Sequence, residues 1–146
     1  MSLKKILMGG GAVVALAIVG FLLLQLLPVS PPSNPPVVAE PPWDSPQTRA
    51  LAKRACFDCH SNEAVFPWYA YVAPVKWLVV RDVNGGRRVL NFSDWQSGGR
   101  TNGSRVARSI SDGQMPMAIY LVMHPSARLT AAEQQQLIDG LTATLK

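Results

Sequence analysis

The sequence predicts a mainly α-helical domain that follows an N-terminal transmembrane helix. Residues 6–27 form an apolar run without a charged side chain, which predicts the membrane helix. Beyond this run, helix caps and apolar residues four positions apart outnumber segments that alternate with a period of two, which favours helices over strands. The length of 146 residues allows one domain besides the N-terminal segment.

Composition excludes several classes of protein. Hydrophobic residues make up 48% of the chain and charged residues 16%, which is not the composition of a disordered protein. Two cysteines and two histidines are too few for a disulfide-rich scaffold and argue against several metal sites. The net charge of +5 is spread along the chain without a run of five basic residues, so we predict no nucleic-acid partner.

The first segment, residues 1–27, contains two lysines, Lys4 and Lys5, ahead of 22 uncharged residues that are apolar or small except for Gln25. A helix of this length spans about 33 Å, enough for a hydrocarbon core of roughly 30 Å. A cleavable signal peptide has a shorter apolar region, of about 7–15 residues. We therefore interpret residues 1–27 as a membrane anchor, with a removed signal segment as the alternative. The lysines predict a single-pass inner-membrane protein whose C-terminal domain lies in the periplasm.

The second segment, residues 28–42, is rich in proline, and residues 28–46 hold eight of the twelve prolines. Proline favours the extended polyproline II conformation, with a rise of about 3.1 Å per residue. This segment is predicted to be a linker, either a semi-rigid spacer or a flexible connection. The folded domain is then predicted to cover residues 43–146.

Local signals place the first two helices of this domain. Ser45 can cap a helix that starts at Pro46 and runs towards the first cysteine. A second helix is predicted over Pro74–Asn84, with Gly85-Gly86 as its stop. The apolar stretch Leu78–Val80 leaves a buried strand open as the alternative there.

Two further helices are predicted near the C-terminus. One covers Ser104–Asp112, and Gly113 ends it. The other follows Thr130 and Glu133, which form a capping box. Its apolar stripe consists of residues four positions apart: Leu137, Leu141 and Leu145.

The strongest chemical signal is the C-x-x-C-H sequence of Cys56, Cys59 and His60. Two thiols at this spacing can add to the two vinyl groups of one haem, and the next residue then offers an imidazole to the iron. The sequence therefore predicts one covalently bound haem c per chain. Cys56 and Cys59 are the predicted attachment residues, and His60 is the predicted iron ligand.

Three other interpretations of these residues stay open. A disulfide between Cys56 and Cys59 would close a loop too small to contribute much stability. A thioredoxin-like redox pair would need a preceding strand, which the sequence does not predict. A zinc site would need both cysteines together with His60 and His124, and adjacent ligands fit a tetrahedron poorly.

An ordered set of residues continues from this motif through the domain: Cys56–Glu63, Pro67–Tyr69, Ala73–Val75, Asp82–Val83, Gly86–Arg87, Leu90–Ser93, Trp95, Met115–Pro116, Tyr120, His124–Pro125, Ala127 and Leu129–Thr130. In these residues the chain resembles the "haem-binding domain" family of small exported bacterial proteins, which are related to monohaem c-type cytochromes. The resemblance implies a cytochrome c-like helical domain around one haem, with electron transfer as the expected function.

Met115 is the predicted sixth ligand of the haem iron. Gly113 ends the preceding helix, and Pro116 biases Met115 towards an extended backbone that can carry its side chain inward. The resemblance points the same way, because Met-Pro is a common distal-ligand signature in small c-type cytochromes. The alternatives are two methionines that we expect to be core filler and one histidine that we expect to be structural: Met117, Met123 and His124.

Two groups of residues have both a structural and a haem-related interpretation. An aromatic cluster is predicted either as ordinary core or as a wall of the haem pocket: Phe66, Trp68, Tyr69 and Tyr71. Arg87 and Arg88 belong either to a solvated loop or to a clamp on a haem propionate.

The predicted function is one-electron transfer with exported redox proteins as partners. We do not predict an enzyme, because the chain has no Ser/His/Asp set, no paired carboxylates and no Gly-rich phosphate loop. One alternative is a five-coordinate haem enzyme of the peroxidase type, for which His124 is the remaining imidazole. Another is a haem-based sensor or accessory subunit.

Overall fold

The regular structure of the chain is helical. The computed structural model describes residues 3–97 and 101–146. Within these ranges lie seven α-helices: α1 (Leu3–Gln25), α2 (Pro46–Ala55), α3 (Phe57–His60), α4 (Val75–Val89), α5 (Gly103–Ser111), α6 (Ala118–Met123) and α7 (Ala131–Thr144). The described residues contain no strand beyond an isolated bridge between Ala39 and Asp94. The predicted mainly α class is confirmed.

The chain forms two compact units. The first contains the chain up to Pro32 together with Pro67–Val80. The second contains Ser33–Phe66 and Arg81–Lys146. Helix α4 contributes its beginning to the first unit and its remainder, from Arg81, to the second.

Helix α1 and the segment around Ala73 belong to the first unit. The side-chain amide of Gln25 makes two reciprocal bonds with Ala73: its Nε2 donates to the carbonyl oxygen at 3.2 Å, and its Oε1 accepts from the N–H at 2.9 Å. Among the described residues, no candidate membrane-spanning helix is found. This finding does not support the membrane anchor predicted for residues 1–27, which stays a prediction.

The aromatic residues of the first unit do not form the buried cluster that the sequence predicts as core. Trp68 is 75% exposed and Tyr71 50% exposed, although Trp68 makes an edge contact with Tyr69. The prediction of a buried aromatic cluster is wrong for Trp68 and Tyr71. Burial here falls on small residues instead, since Ala70 and Ala73 are almost fully buried.

The core of the second unit lies between α2, α5, α7 and the residues after α4. It is formed by Leu51, Ala52, Phe57, Leu90, Phe92, Ile110, Leu137, Leu141 and Leu145. The predicted apolar stripe of α7 is thus confirmed. Phe57 stacks on Phe92 with ring centroids 5.5 Å apart, and Trp43 packs on Phe92 at 5.1 Å. Phe57 therefore fixes the short helix α3 to the core.

The caps of α2 and α7 agree with the sequence. Ser45 accepts a hydrogen bond from the N–H of Thr48 at 3.1 Å, and Pro46 is the first residue of α2. Thr130 and Glu133 form the predicted capping box at the start of α7. Helix α5 begins one residue earlier than predicted, because Asn102 provides its cap.

The predicted end of α4 is wrong. The helix continues through Gly85-Gly86 to Val89. Leu78–Val80 belongs to this helix, so the alternative of a strand there is wrong as well. The reason is packing. A Cβ at Gly86 would collide with the backbone carbonyl of Cys59, so Gly86 allows a close approach between helix and turn and does not end the helix.

Part of the proline-rich segment belongs to the folded second unit, so residues 33–42 do not form a spacer. Asn34 donates through Nδ2 to the carbonyl of Ala64 at 2.8 Å and accepts from the N–H of Ala64 at 3.2 Å. The N–H groups of Val38 and Ala39 donate to the carbonyl of Ser93 at 2.8 and 3.2 Å. The predicted boundary between linker and domain at residue 43 is therefore too late.

Candidate functional site

The C-x-x-C-H residues occupy one helical turn. Cys56 precedes α3, and its carbonyl accepts from the N–H of Cys59 at 3.2 Å and from that of His60 at 2.9 Å. Phe57 is almost fully buried in the core. Because it occupies the core side of the turn, Cys56, Cys59 and His60 are left to line a cavity beside the turn.

The imidazole of His60 is held by two backbone carbonyls. Its Nδ1 lies 3.1 Å from the carbonyl oxygen of Leu90 and 3.2 Å from that of Gly86. A carbonyl oxygen can only accept, so Nδ1 carries the hydrogen and Nε2 keeps its lone pair. Burial lowers the pKa of His60, which favours the neutral ring. A neutral imidazole with Nδ1 fixed in this way is ready to bind a metal through Nε2.

The cavity beside the turn has a volume of about 370 Å³, within the range of roughly 300–1,000 Å³ of small-molecule and cofactor sites. A smaller cavity of about 120 Å³ shares part of its lining with the first. Shared residues are Ala55, Cys56, His60, Val89, Met115 and Pro116. The four predicted site residues, Cys56, Cys59, His60 and Met115, therefore lie around one space.

The two thiols are free and protonated at neutral pH. Neither is in a disulfide. Burial raises the pKa of Cys56 to about 12 and that of Cys59 to about 11. A thioredoxin-like pair needs a lowered thiol pKa, so the redox-pair interpretation is not supported. Among the described residues, no group of three or more His, Cys, Asp or Glu side chains could hold a metal ion, and the zinc interpretation lacks support as well.

The candidates for a sixth ligand are in different places. Met115 lines both cavities and Met117 the larger one. Met123 is 59% exposed. The ring of His124 stacks on Tyr120 with centroids 4.0 Å apart, and its Nδ1 donates to the Tyr120 carbonyl at 3.0 Å. His124 is not among the residues that line these two cavities.

Arg87 lies in α4 and not in a solvated loop. Its Nε donates to the carbonyl of Ser61 at 2.8 Å, and its terminal nitrogens bond the Ser33 carbonyl at 2.7 Å and Asn34 Oδ1 at 2.9 Å. These bonds join the proline-rich segment to the residue after His60. Arg88 lines the larger cavity, and the clamp on a propionate stays a prediction.

Sequence reasoning missed three residues of the site. Gly86 was interpreted as a helix stop. Tyr120 lines the cavity and donates its hydroxyl hydrogen to Asp58 Oδ2 at 2.8 Å. Asp58 lies between the two cysteines, which was a local signal of a role at the site, but its partner lies 62 residues away and no sequence pattern links the two.

Fold and site together define a small helical protein with a cavity between a Cys–His turn and a Met-containing segment. Two thiols and an imidazole with a free lone pair are donors that suit haem. The sequence profile of the haem-binding domain family matches residues 19–143, and the chain therefore belongs to this haem-binding family. No curated protein and no solved structure matches the chain.

Gly86→Ala is expected to reduce haem incorporation and to lower the free energy of unfolding by about 1–3 kcal/mol, the usual cost of overpacking. The added Cβ would push α4 away from the Cys59 backbone and so move both carbonyls that hold His60. The ratio of haem to protein and urea unfolding measure the two effects.

Asn84→Ala is the control in the same helix, because Asn84 is exposed and lines neither cavity. It should leave haem content unchanged and raise stability by about 0.5 kcal/mol, because alanine is the better helix residue. Equal losses in both variants would contradict the role assigned to the Gly86 contact.

Proposed function

We propose that this protein carries one haem c, attached by thioether bonds to Cys56 and Cys59, with His60 as the proximal iron ligand. The observation that carries the proposal is the arrangement of α3: both thiols and the imidazole line one cavity, while two carbonyls hold Nδ1 of His60. Attachment and ligation would then share one turn of backbone.

We propose Met115 as the sixth ligand and one-electron transfer as the function. The haem supplies a reversible change between ferrous and ferric iron. The task of the chain is to exclude water and to hold a ligand on each side of the iron. Met115 supports this role because it lines the same two cavities as His60.

A peroxidase-type enzyme is the alternative that uses His124 as a distal acid–base group. The His124 ring stacks on Tyr120, and its Nδ1 donates to the Tyr120 carbonyl. These contacts favour a structural role for His124. We therefore propose that the protein is not an enzyme, and that its partners are other redox proteins that exchange electrons with it.

We propose further that residues 1–27 anchor the protein in the inner membrane, with the haem domain in the periplasm. The proposal rests on Lys4 and Lys5 ahead of the apolar run. It also fits haem c chemistry, because this type of haem is attached outside the cytoplasm.

Covalent attachment is tested by expressing the full chain in a host that matures c-type cytochromes. The haem should stay on the polypeptide through denaturation and extraction with acidified acetone. Cys56→Ala and Cys59→Ala should each leave at most one thioether, which shifts the spectrum of the pyridine haemochrome. Release of the haem from the unaltered chain would contradict the proposal.

The sixth ligand is tested by Met115→Ala, which should abolish the weak far-red band of sulfur-ligated ferric haem and lower the reduction potential. Met123→Ala is the matched control, because its side chain is 59% exposed, and it should keep the band. A spectrum that Met115→Ala leaves unchanged and without the far-red band, with a high-spin spectrum in His124→Ala, would assign the ligand to His124 instead.

Membrane attachment is tested by washing membranes with high salt and then with alkaline buffer. The protein should stay in the membrane fraction, and protease added from the periplasmic side should digest the haem domain. Recovery of a soluble form that begins near Glu40 would show that residues 1–27 are a removed signal segment.

A further inference from the structure

The segment that carries Met115 has little packing of its own. It runs from the end of α5 through α6, and none of the residues of α6 is buried. Ile119 and Val122 are 72% and 69% exposed. Such a segment needs other contacts to keep a side chain at a fixed place in the cavity, because hydrophobic burial contributes little here.

One end of the segment is fixed at α5. The carbonyl of Ser109 accepts from the N–H of Gln114 at 2.9 Å and from that of Met115 at 3.0 Å. Gly113 adopts a φ of +67°, a conformation that favours glycine. These bonds set where the segment starts, but they leave the residues after Met115 without support from this side.

The other end is fixed to the haem-attachment turn itself. The hydroxyl of Tyr120 donates to Asp58 Oδ2 at 2.8 Å, while Oδ1 of the same carboxylate accepts from the N–H of Val65 at 3.0 Å. Burial, and then the bond to Asp58, raises the pKa of Tyr120, so the hydroxyl keeps its hydrogen and acts as the donor. A hydrogen bond to a charged acceptor is stronger than one between neutral groups.

His124 supports Tyr120 from the next turn. The two rings are nearly parallel, with an angle of 13° and centroids 4.0 Å apart. Nδ1 of His124 donates to the Tyr120 carbonyl, and its Nε2 lies 4.0 Å from Asp58 Oδ2. His124 thus contacts both the ring and the backbone carbonyl of Tyr120.

We propose that Asp58, Tyr120 and His124 form a clasp that positions Met115 on the distal side of the haem. The clasp ties the distal segment to the residue between the two cysteines, so the attached haem and its methionine ligand share one anchor. A neutral thioether is a weak ligand, and its occupancy of the iron depends on how well the protein holds it in place. This inference rests on the proposed haem c and on Met115 as its sixth ligand.

The test measures how readily added imidazole displaces the sixth ligand from the ferric holoprotein. Tyr120→Phe keeps the ring and removes only the hydroxyl. It should raise the apparent affinity for imidazole about tenfold, the effect expected when a hydrogen bond to a charged group is lost. The far-red band should weaken as well, while the haem content stays that of the unaltered protein.

Two further variants serve as comparisons. Tyr71→Phe removes a hydroxyl from an exposed ring and should leave imidazole affinity unchanged. Asp58→Asn removes the charge and keeps a single oxygen, which cannot accept from both Tyr120 and Val65, so its affinity for imidazole should rise as well.

The double variant separates positioning from a general loss of stability. In a Met115→Ala background the proposed ligand no longer competes with imidazole, so Tyr120→Phe should then change the affinity little. An equal increase in both backgrounds would overturn the clasp, as would an unchanged affinity in Tyr120→Phe alone. Covalent haem and the effect of Met115→Ala on the far-red band are measured before any clasp variant. Absence of covalent haem, or a band that survives Met115→Ala, would overturn the proposed function itself.

Discussion

The site depends on the close approach of α4 to the C-x-x-C-H turn at Gly86. Without a side chain there, the helix lies against the Cys59 backbone, and this brings the carbonyls of Gly86 and Leu90 to Nδ1 of His60. The same approach makes α4 one wall of the cavity, through Gly85, Arg88 and Val89. A single missing Cβ therefore connects helix packing, the histidine tautomer and the shape of the cavity.

The two histidines have opposite tasks. His60 is fixed through Nδ1 so that Nε2 is available, whereas His124 is engaged with Tyr120 and stands behind the distal segment. Asp58 connects the regions around the two histidines, because it belongs to the C-x-x-C-H turn and accepts from Tyr120. In a domain this small, residues of the cofactor site also carry much of the tertiary structure, so the variable positions of the motif are not spacers.

Local chemistry explains which features could be predicted from the sequence. The caps at Ser45 and Thr130 and the C-x-x-C-H motif are encoded within a few residues, and the helical class follows from them. Glycine occurs both at helix ends and where two backbones pack closely. The sequence alone therefore could not show that Gly86 allows close packing. The bond from Tyr120 to Asp58 joins residues 62 positions apart and depends on tertiary folding alone.

The docked proline-rich segment changes where the domain can be cut. Expression of residues 43–146 alone would remove Asn34 and its bonds to Ala64, and it would leave Arg87 without two of its acceptors. A fragment that keeps these contacts has to begin at or ahead of Ser33. Proline also restricts the unfolded chain, so the segment loses less conformational entropy when it docks than a flexible one would. The stiffness of the proline-rich segment thus favours the folded state of the domain.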